Sequence, residues 1–264
     1  MNAVTMRPIG IVKNSNTVTG EIPLWGQEKT VIEVFPGYEG ALLRMEEHSH
    51  FWILSWFDKA RRDLVSVRPE RINPDIPEYG VFGIRTPARP NPIALSLVKL
   101  DKIERNKLYV IGFDAISDTY ILDIKPYYEQ DVIFSPRAPF LRPVQFQKRY
   151  DYMFKLAINQ HQEDCLDLRL AIRMGLIAEQ EFGKLNSPDL LLEVTGSRCL
   201  GDVLQGLSRA RLSNPPRFSF TASNEQNKSI WSRGDKRLSI ELKKASASRH
   251  NEISDTELFT ITIT

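Results

Sequence analysis

The densest chemistry in the chain lies in Gly80-Val-Phe-Gly-Ile-Arg-Thr-Pro-Ala-Arg-Pro-Asn-Pro-Ile-Ala-Leu-Ser96. Pro87, Pro90 and Pro92 each hold φ near −65° and push the preceding residue toward extended backbone. The loop is therefore stiff, and it presents Arg85, Arg89 and Asn91 with little entropy left to lose on binding. Guanidinium and amide groups on such a loop suit an anionic or hydrogen-bonding ligand. The plainer alternative is a surface loop whose arginines form salt bridges. A second segment, Asp114-Ala-Ile-Ser-Asp-Thr-Tyr-Ile-Leu-Asp-Ile-Lys-Pro-Tyr127, gathers three aspartates and a lysine around one strand-like run. Alternation puts Asp123 and Lys125 on one face, where an ordinary ion pair beside a barrel seam also accounts for them.

The elements that must position these groups read as strands. Ile9–Val12, Thr30–Phe35, His50–Phe57, Leu64–Val67, Ile93–Leu100, Lys107–Phe113 and Tyr120–Ile124 are short and rich in β-branched and aromatic residues, with proline, glycine and asparagine between them. Seven such runs predict a closed or nearly closed antiparallel barrel, since closure removes unpaired edges. Short helices are expected near Tyr38–Met45 and Phe57–Arg62, too little for the crossovers of a parallel sheet. Periodicity weakens from Gln130 to Lys148, around Pro136, Pro139 and Pro143, which suggests a boundary between a first domain over 1–142 and a second over 150–264. In the second, Leu166, Leu170, Met174 and Ile177 share a helical face ending before Gly183. Strands are expected at Leu190–Thr195, Arg217–Thr221, Leu238–Leu242 and Leu258–Ile263, with a polar loop over Ala222–Ser229. The predicted fold class is a mainly β first domain followed by an α+β second.

The 264 residues carry 42% hydrophobic and 26% charged side chains, ordinary globular values, and a net charge of +2. No strong positive field imposes nucleic-acid binding, though a local patch remains able to hold RNA. Two cysteines exclude a disulfide-stapled scaffold. The longest apolar run, Phe51–Phe57, is far short of the roughly 20 residues of a membrane span. With no apolar signal core in Met1–Gly10, a soluble cytoplasmic protein is expected.

Together, Arg7-Pro-Ile-Gly-Ile-Val12, Val34-Phe-Pro-Gly-Tyr-Glu-Gly40, Ser49-His-Phe-Trp-Ile-Leu54, Gly80–Ser96 and Leu122-Asp-Ile-Lys-Pro-Tyr127 resemble the TsaA/TrmO family over residues 5 to about 142. Its members are S-adenosylmethionine-dependent methyltransferases of N6-threonylcarbamoyladenosine in tRNA. The resemblance implies a single β-barrel methyltransferase, a homodimer with cofactor near the subunit interface, and the tRNA anticodon stem-loop as partner. Its cofactor contacts carry over to Pro23, Leu24 and Trp25, to Phe57 and Asp58, to Arg85 and Leu95, and to Ser117, Asp118, Thr119 and Tyr120, with Asn91 beside them. This chain departs from the family in keeping only Pro23 of a proline–arginine–glutamine triplet. Asp58 stands where histidine is common, and Ser117-Asp118-Thr119-Tyr120 replaces aspartate–glycine–threonine–proline. Trp25 offers an aromatic face to a sulfonium or an adenine. A carbamoylated nitrogen is a poor nucleophile, so a carboxylate is wanted to accept its proton. Asp114 and Asp123 are the first candidates and Asp118 the third, with Arg85 and Arg89 orienting the cofactor carboxylate or an RNA phosphate.

The second half has its own resemblance. His161-Gln-Glu-Asp-Cys165, Arg173-Met174 and Arg198-Cys-Leu-Gly-Asp202 with Gln205 are similar to the core of the FmdE family, named for a subunit of formylmethanofuran dehydrogenase, over roughly 150–245. That resemblance implies a zinc site of His161, Cys165 and Cys199, with Glu163 or water as fourth ligand. Two reduced, buried thiols without metal are the plainer reading, and the family's turn glycines are absent here. The basic residues Arg209, Arg211, Arg217, Lys228, Arg233, Lys236, Arg237, Lys243 and Lys244 are expected either to hold tRNA phosphates or to form a solvated surface. Two further functions compete with tRNA methylation. One is a small-molecule methyltransferase linked to one-carbon or pterin chemistry, and the other a non-catalytic cofactor- or metal-binding regulator.

Overall fold

The computed structural model describes residues 4–18, 29–243 and 252–264. The chain divides into two compact units, Met1–Val132 and Ile133–Thr264. In the first, alternation of apolar and polar side chains builds β1 (Gly10–Lys13), β2 (Lys29–Val34), β3 (His50–Trp56), β4 (Ser66–Val67), β5 (Tyr79–Gly80), β6 (Ile93–Glu104), β7 (Lys107–Ile111) and β8 (Tyr120–Pro126). Six of them close a barrel in the order β1-β2-β7-β6-β3-β8, every pair antiparallel. Inward-facing Ile32, Ile53, Leu108, Val110 and Ile121 are fully buried, while the residues between them face outward.

Two expectations for this unit are corrected and a third is refined. The run Leu64–Val67 is not a barrel strand: only Ser66–Val67 pairs, with Tyr79–Gly80, in a separate ribbon, and Pro69 follows shortly after with no N–H to continue a ladder. Phe57–Arg62 forms a turn closed by Ala60 N–H on the Phe57 carbonyl, not a helix. Near Tyr38–Met45 two 3-10 turns, Glu39–Leu42 and Met45–Glu47, flank Arg44, whose φ of 65° breaks any continuous helix.

At Gly10 the barrel admits no side chain. A Cβ there would stand 2.7 Å from the Glu33 carbonyl oxygen and 3.3 Å from the Val34 Cα, both backbone atoms of β2. Gly10→Ala is therefore expected to destabilise the barrel by about 1–3 kcal/mol. A urea titration showing an unchanged midpoint would contradict this.

The second unit comprises α1 (Phe146–His161), α2 (Leu166–Phe182), β9 (Leu191–Gly196), α3 (Arg198–Ser208), β10 (Phe218–Ala222), β11 (Lys228–Arg233), β12 (Lys236–Leu242), α4 (Asp255–Leu258) and β13 (Phe259–Ile263). The sheet order is β10-β9-β11-β12-β13. Only β9 and β10 are parallel, because α3 provides the crossover between them. Helix α2 buries eleven of its residues and ends at Gly183, whose φ of +70° suits glycine. The loop expected over Ala222–Ser229 gives way at Lys228 to β11, in which Ser229 and Trp231 are fully buried and the Trp231 indole donates to Ser229 Oγ. The stretch 133–142, which sequence put in the first domain, belongs to the second unit. There Ser135 bonds Asn186, Lys184 bonds the Ala138 carbonyl, and Arg142 pairs with Glu179. Glu179, almost fully buried on α2, also pairs with Arg149 at 3.0 Å.

Candidate functional site

Antiparallel pairing brings most of the candidate residues to one mouth of the barrel. Ile11 on β1 and Trp56 on β3 both pair with Tyr120 at the start of β8, and Trp56 also pairs with Ile93 at the start of β6. The loops leaving or entering these ends therefore share that mouth. Phe57 N–H donates to the Pro92 carbonyl and Arg89 N–H to the Arg61 carbonyl, which ties the turn after β3 to the proline loop. On the other side, Ser117 N–H bonds the Asn16 carbonyl, Asp118 N–H the Val12 carbonyl, and Asn14 Nδ2 the Ala115 carbonyl.

The two arginines of the proline loop divide their work. Arg89 turns inward, its Nε donating to the Thr86 carbonyl at 2.9 Å and its Nη2 to Val81 and Ile84 at 2.7 and 2.6 Å. It holds the loop's own backbone. Arg85 and Asn91 are exposed, as is Asp58 at the adjoining turn, while Phe57 packs against the barrel core.

Asp118 explains how the turn survives without the family's glycine. It occupies the glycine position and has φ of +64°, a left-handed conformation that aspartate accepts more readily than most residues. Its carboxylate pairs with Lys13 at 2.8 Å, and Lys13 is raised above the usual lysine range, chiefly by that hydrogen bond. Thr119 beside it is buried.

The three candidate bases differ in their partners. Asp123 pairs with Lys125 at 2.7 Å, as the alternation predicts, and accepts the Ile124 N–H. It also lies apart from the loop cluster. It pairs in register with Leu54 and borders a cavity of about 520 Å³ at the other mouth, walled by Ile9, Val34, Leu42, Met45, Phe51 and His48. Asp114 has no ammonium or guanidinium partner among the described residues. Its Oδ1 accepts the hydroxyl of Ser96, a largely buried residue on β6 next to Leu95. Sequence reading missed Ser96 as that partner, since the two lie eighteen residues apart and meet only once β6 and the loop after β7 are folded. Inside the barrel, the fully buried Ser55 Oγ has no hydrogen-bond partner among the described residues. Pro23, Leu24 and Trp25 lie outside the described residues.

In the second unit, α1 ends at His161, Cys165 caps the N-terminus of α2 with its Sγ accepting the Leu168 N–H, and Cys199 lies in the first turn of α3. One donor atom from each of these three residues lies within 4.8 Å of the others. His161 Nε2 is 3.4 Å from Cys165 Sγ, and its Nδ1 is 2.8 Å from Asp202 Oδ2. Burial, then the neighbouring Cys165, pushes the Cys199 thiol up.

The basic run expected to hold phosphates is largely paired within the unit. Arg217 donates to the carbonyls of Ser187, Leu190 and Arg209 and is buried. Lys228 pairs with Glu241, Arg233 with Asp189, Lys236 with Glu181, and Arg237 with Glu193. Lys243 donates to the Thr256 carbonyl, Arg209 lies over the Phe134 ring, and Lys244 falls outside the described residues.

The first unit is thus a small closed six-stranded β-barrel domain with a polar, loop-built mouth. Residues 18–131 match the tRNA-methyltransferase O N-terminal domain. A S-adenosyl-L-methionine-binding protein of Archaeoglobus fulgidus is 36% identical over 125 residues, covering 46% of this chain and 88% of that one. The chain belongs to the TsaA/TrmO family. A second Archaeoglobus fulgidus protein, a probable S-adenosyl-L-methionine-binding protein, is 30% identical over 224 residues, 81% of this chain and 60% of its own. That alignment is longer than the barrel unit and so reaches into the second. The mouse tRNA (adenine(37)-N6)-methyltransferase is 44% identical over 96 residues, 36% of this chain and 22% of its own. The chain thus spans well under two thirds of the length of these last two relatives.

Proposed function

We propose that the protein is an S-adenosylmethionine-dependent methyltransferase that methylates the exocyclic nitrogen of N6-threonylcarbamoyladenosine beside the tRNA anticodon. The observation that carries this reading is the gathering at one barrel mouth of an exposed arginine on a proline-stiffened loop, a left-handed aspartate turn and a carboxylate with no cationic partner among the described residues. When bound, S-adenosylmethionine supplies a methyl group activated by its sulfonium charge. The residues present fit it: exposed Arg85 offers a fork to its carboxylate, and Leu95 and Phe57 offer apolar surface. Arg89 keeps the loop rigid, so that Arg85 need not be ordered on binding. Asp114 takes the proton from the nucleophilic nitrogen on Oδ2 while Ser96 steadies Oδ1. Asp123 and Asp118, each already engaged by a lysine, serve position and fold rather than proton transfer.

A homodimer with the cofactor near its interface is part of this reading. It is supported by the outward apolar side chains Leu95, Leu97 and Tyr120, about two fifths exposed on β6 and β8, the strands on either side of β3. No helix of the described residues is long and apolar enough to cross a membrane, and a tRNA substrate calls for a cytoplasmic enzyme. The second unit is read as an accessory domain holding zinc through His161, Cys165 and Cys199. This rests on a nitrogen–sulfur donor set of the type zinc prefers. The test of the main reading is mass spectrometry of tRNA nucleosides from cells with and without the gene. Methylated N6-threonylcarbamoyladenosine is expected to vanish on deletion and return with the wild-type gene, and an unchanged nucleoside would refute the substrate.

A further inference from the structure

The pairing of His161 with Asp202 carries the second unit one step further, resting on the zinc reading above. A metal-bound imidazole almost always donates its other ring N–H to an acceptor, which sets both the tautomer and the ring plane. Here Asp202 Oδ2 stands 2.8 Å from Nδ1, leaving Nε2 on the side of the two thiols. The arrangement draws on three elements: His161 ends α1, Cys165 caps α2, and Cys199 and Asp202 lie one turn apart on α3. Another carboxylate of the neighbourhood is already engaged. Asp167, which acts on Cys199 electrostatically, accepts Ser197 Oγ at 2.6 Å and faces Asn227 Nδ2 at 3.4 Å. Glu163 is exposed, both thiols are partly exposed, and the Asp202 side chain is 43% exposed, so the cluster opens toward solvent. Structural zinc sites close with four protein ligands, whereas three protein ligands and an opening leave one position for an exchangeable donor.

We propose that Asp202 positions His161 for a divalent metal held by an incomplete three-residue ligand set, whose remaining place accepts an exchangeable small-molecule donor such as a thiol. Full-length protein purified without a histidine tag and stripped with chelator is titrated with Co²⁺, and its Zn²⁺ affinity is measured against a chromophoric chelator. Wild type should take one equivalent of Co²⁺ with a thiolate-to-metal absorption band, and its visible bands should shift when 2-mercaptoethanol is added. Asp202→Asn should weaken Zn²⁺ by about 10–100-fold with the metal-free melting temperature unchanged, and Asp202→Glu should recover part of the loss. Wild-type affinity in Asp202→Asn, or visible bands indifferent to added thiol, would overturn this proposal while leaving the zinc reading intact. No Co²⁺ uptake by wild type would overturn the zinc reading itself, and this proposal with it.

Discussion

Asp114→Asn should slow methyl transfer to tRNA by about 10²–10⁴-fold, the contribution of a well-placed general base. Calorimetric uptake of S-adenosylmethionine should meanwhile stay close to wild type. The expectation follows from the company each candidate carboxylate keeps. Asp118 is engaged by Lys13 and Asp123 by Lys125, so protonating either one sacrifices an ion pair. Among the described residues Asp114 is held through the Ser96 hydroxyl, which asparagine can still accept through its amide oxygen, so the substitution removes the base with little disturbance to the loop. Asp123→Asn is the comparator and should keep most of its turnover. Single-turnover rates that fall in Asp123→Asn and not in Asp114→Asn would reverse the assignment.

A second large effect is expected far from that chemistry. Glu179 sits on α2 with 6% of its side chain exposed, accepting Arg142 Nε at 2.9 Å and Arg149 Nε at 3.0 Å on one oxygen. Burial holds the Arg149 guanidinium below the usual arginine range while the Glu179 charge pulls it back up, and its Nη2 is buried without a partner among the described residues. Removing the acid strands a buried cation. Glu179→Ala is accordingly expected to destabilise the second unit by about 3–5 kcal/mol. Trp231, fully buried in the same unit, gives a fluorescence signal for its unfolding in urea. A loss below about 1 kcal/mol would show that the arginines relax to solvent without the acid.

The barrel was legible in the sequence because strands such as His50–Trp56 and Lys29–Val34 alternate cleanly and proline and glycine separate the runs. The Asp123–Lys125 pair followed from the two-residue period alone. Other features depended on what the chain folds against. The run Leu64–Val67 has the composition of a strand but lies just ahead of Pro69, and Val65 is left three-quarters exposed. Strand β11 looked like loop because its buried positions include Ser229, and a serine signals a strand only once the Trp231 indole needs an acceptor. Helix α1 went unread because a charged residue, Arg149, takes one of its few buried positions and the exposed Gln160 one of its contacts with α3. Arg149 is buried against Glu179, and Gln160 lies where the missing side chain of Gly206 leaves room on α3. The roles of Arg89 and Asp202 were equally invisible in the sequence. Each depends on hydrogen-bond geometry, Arg89 through three bonds within its loop and Asp202 through one across forty-one residues of chain.

The central claim is that the loop-built barrel mouth binds S-adenosylmethionine, and isothermal titration of the full-length protein with that cofactor tests it most directly. Saturable binding at one site per chain is expected, weakened about 10–100-fold in Arg85→Ala through loss of a charge-assisted hydrogen bond. A folded protein that releases no heat with the cofactor, in the presence or absence of tRNA, would contradict the claim.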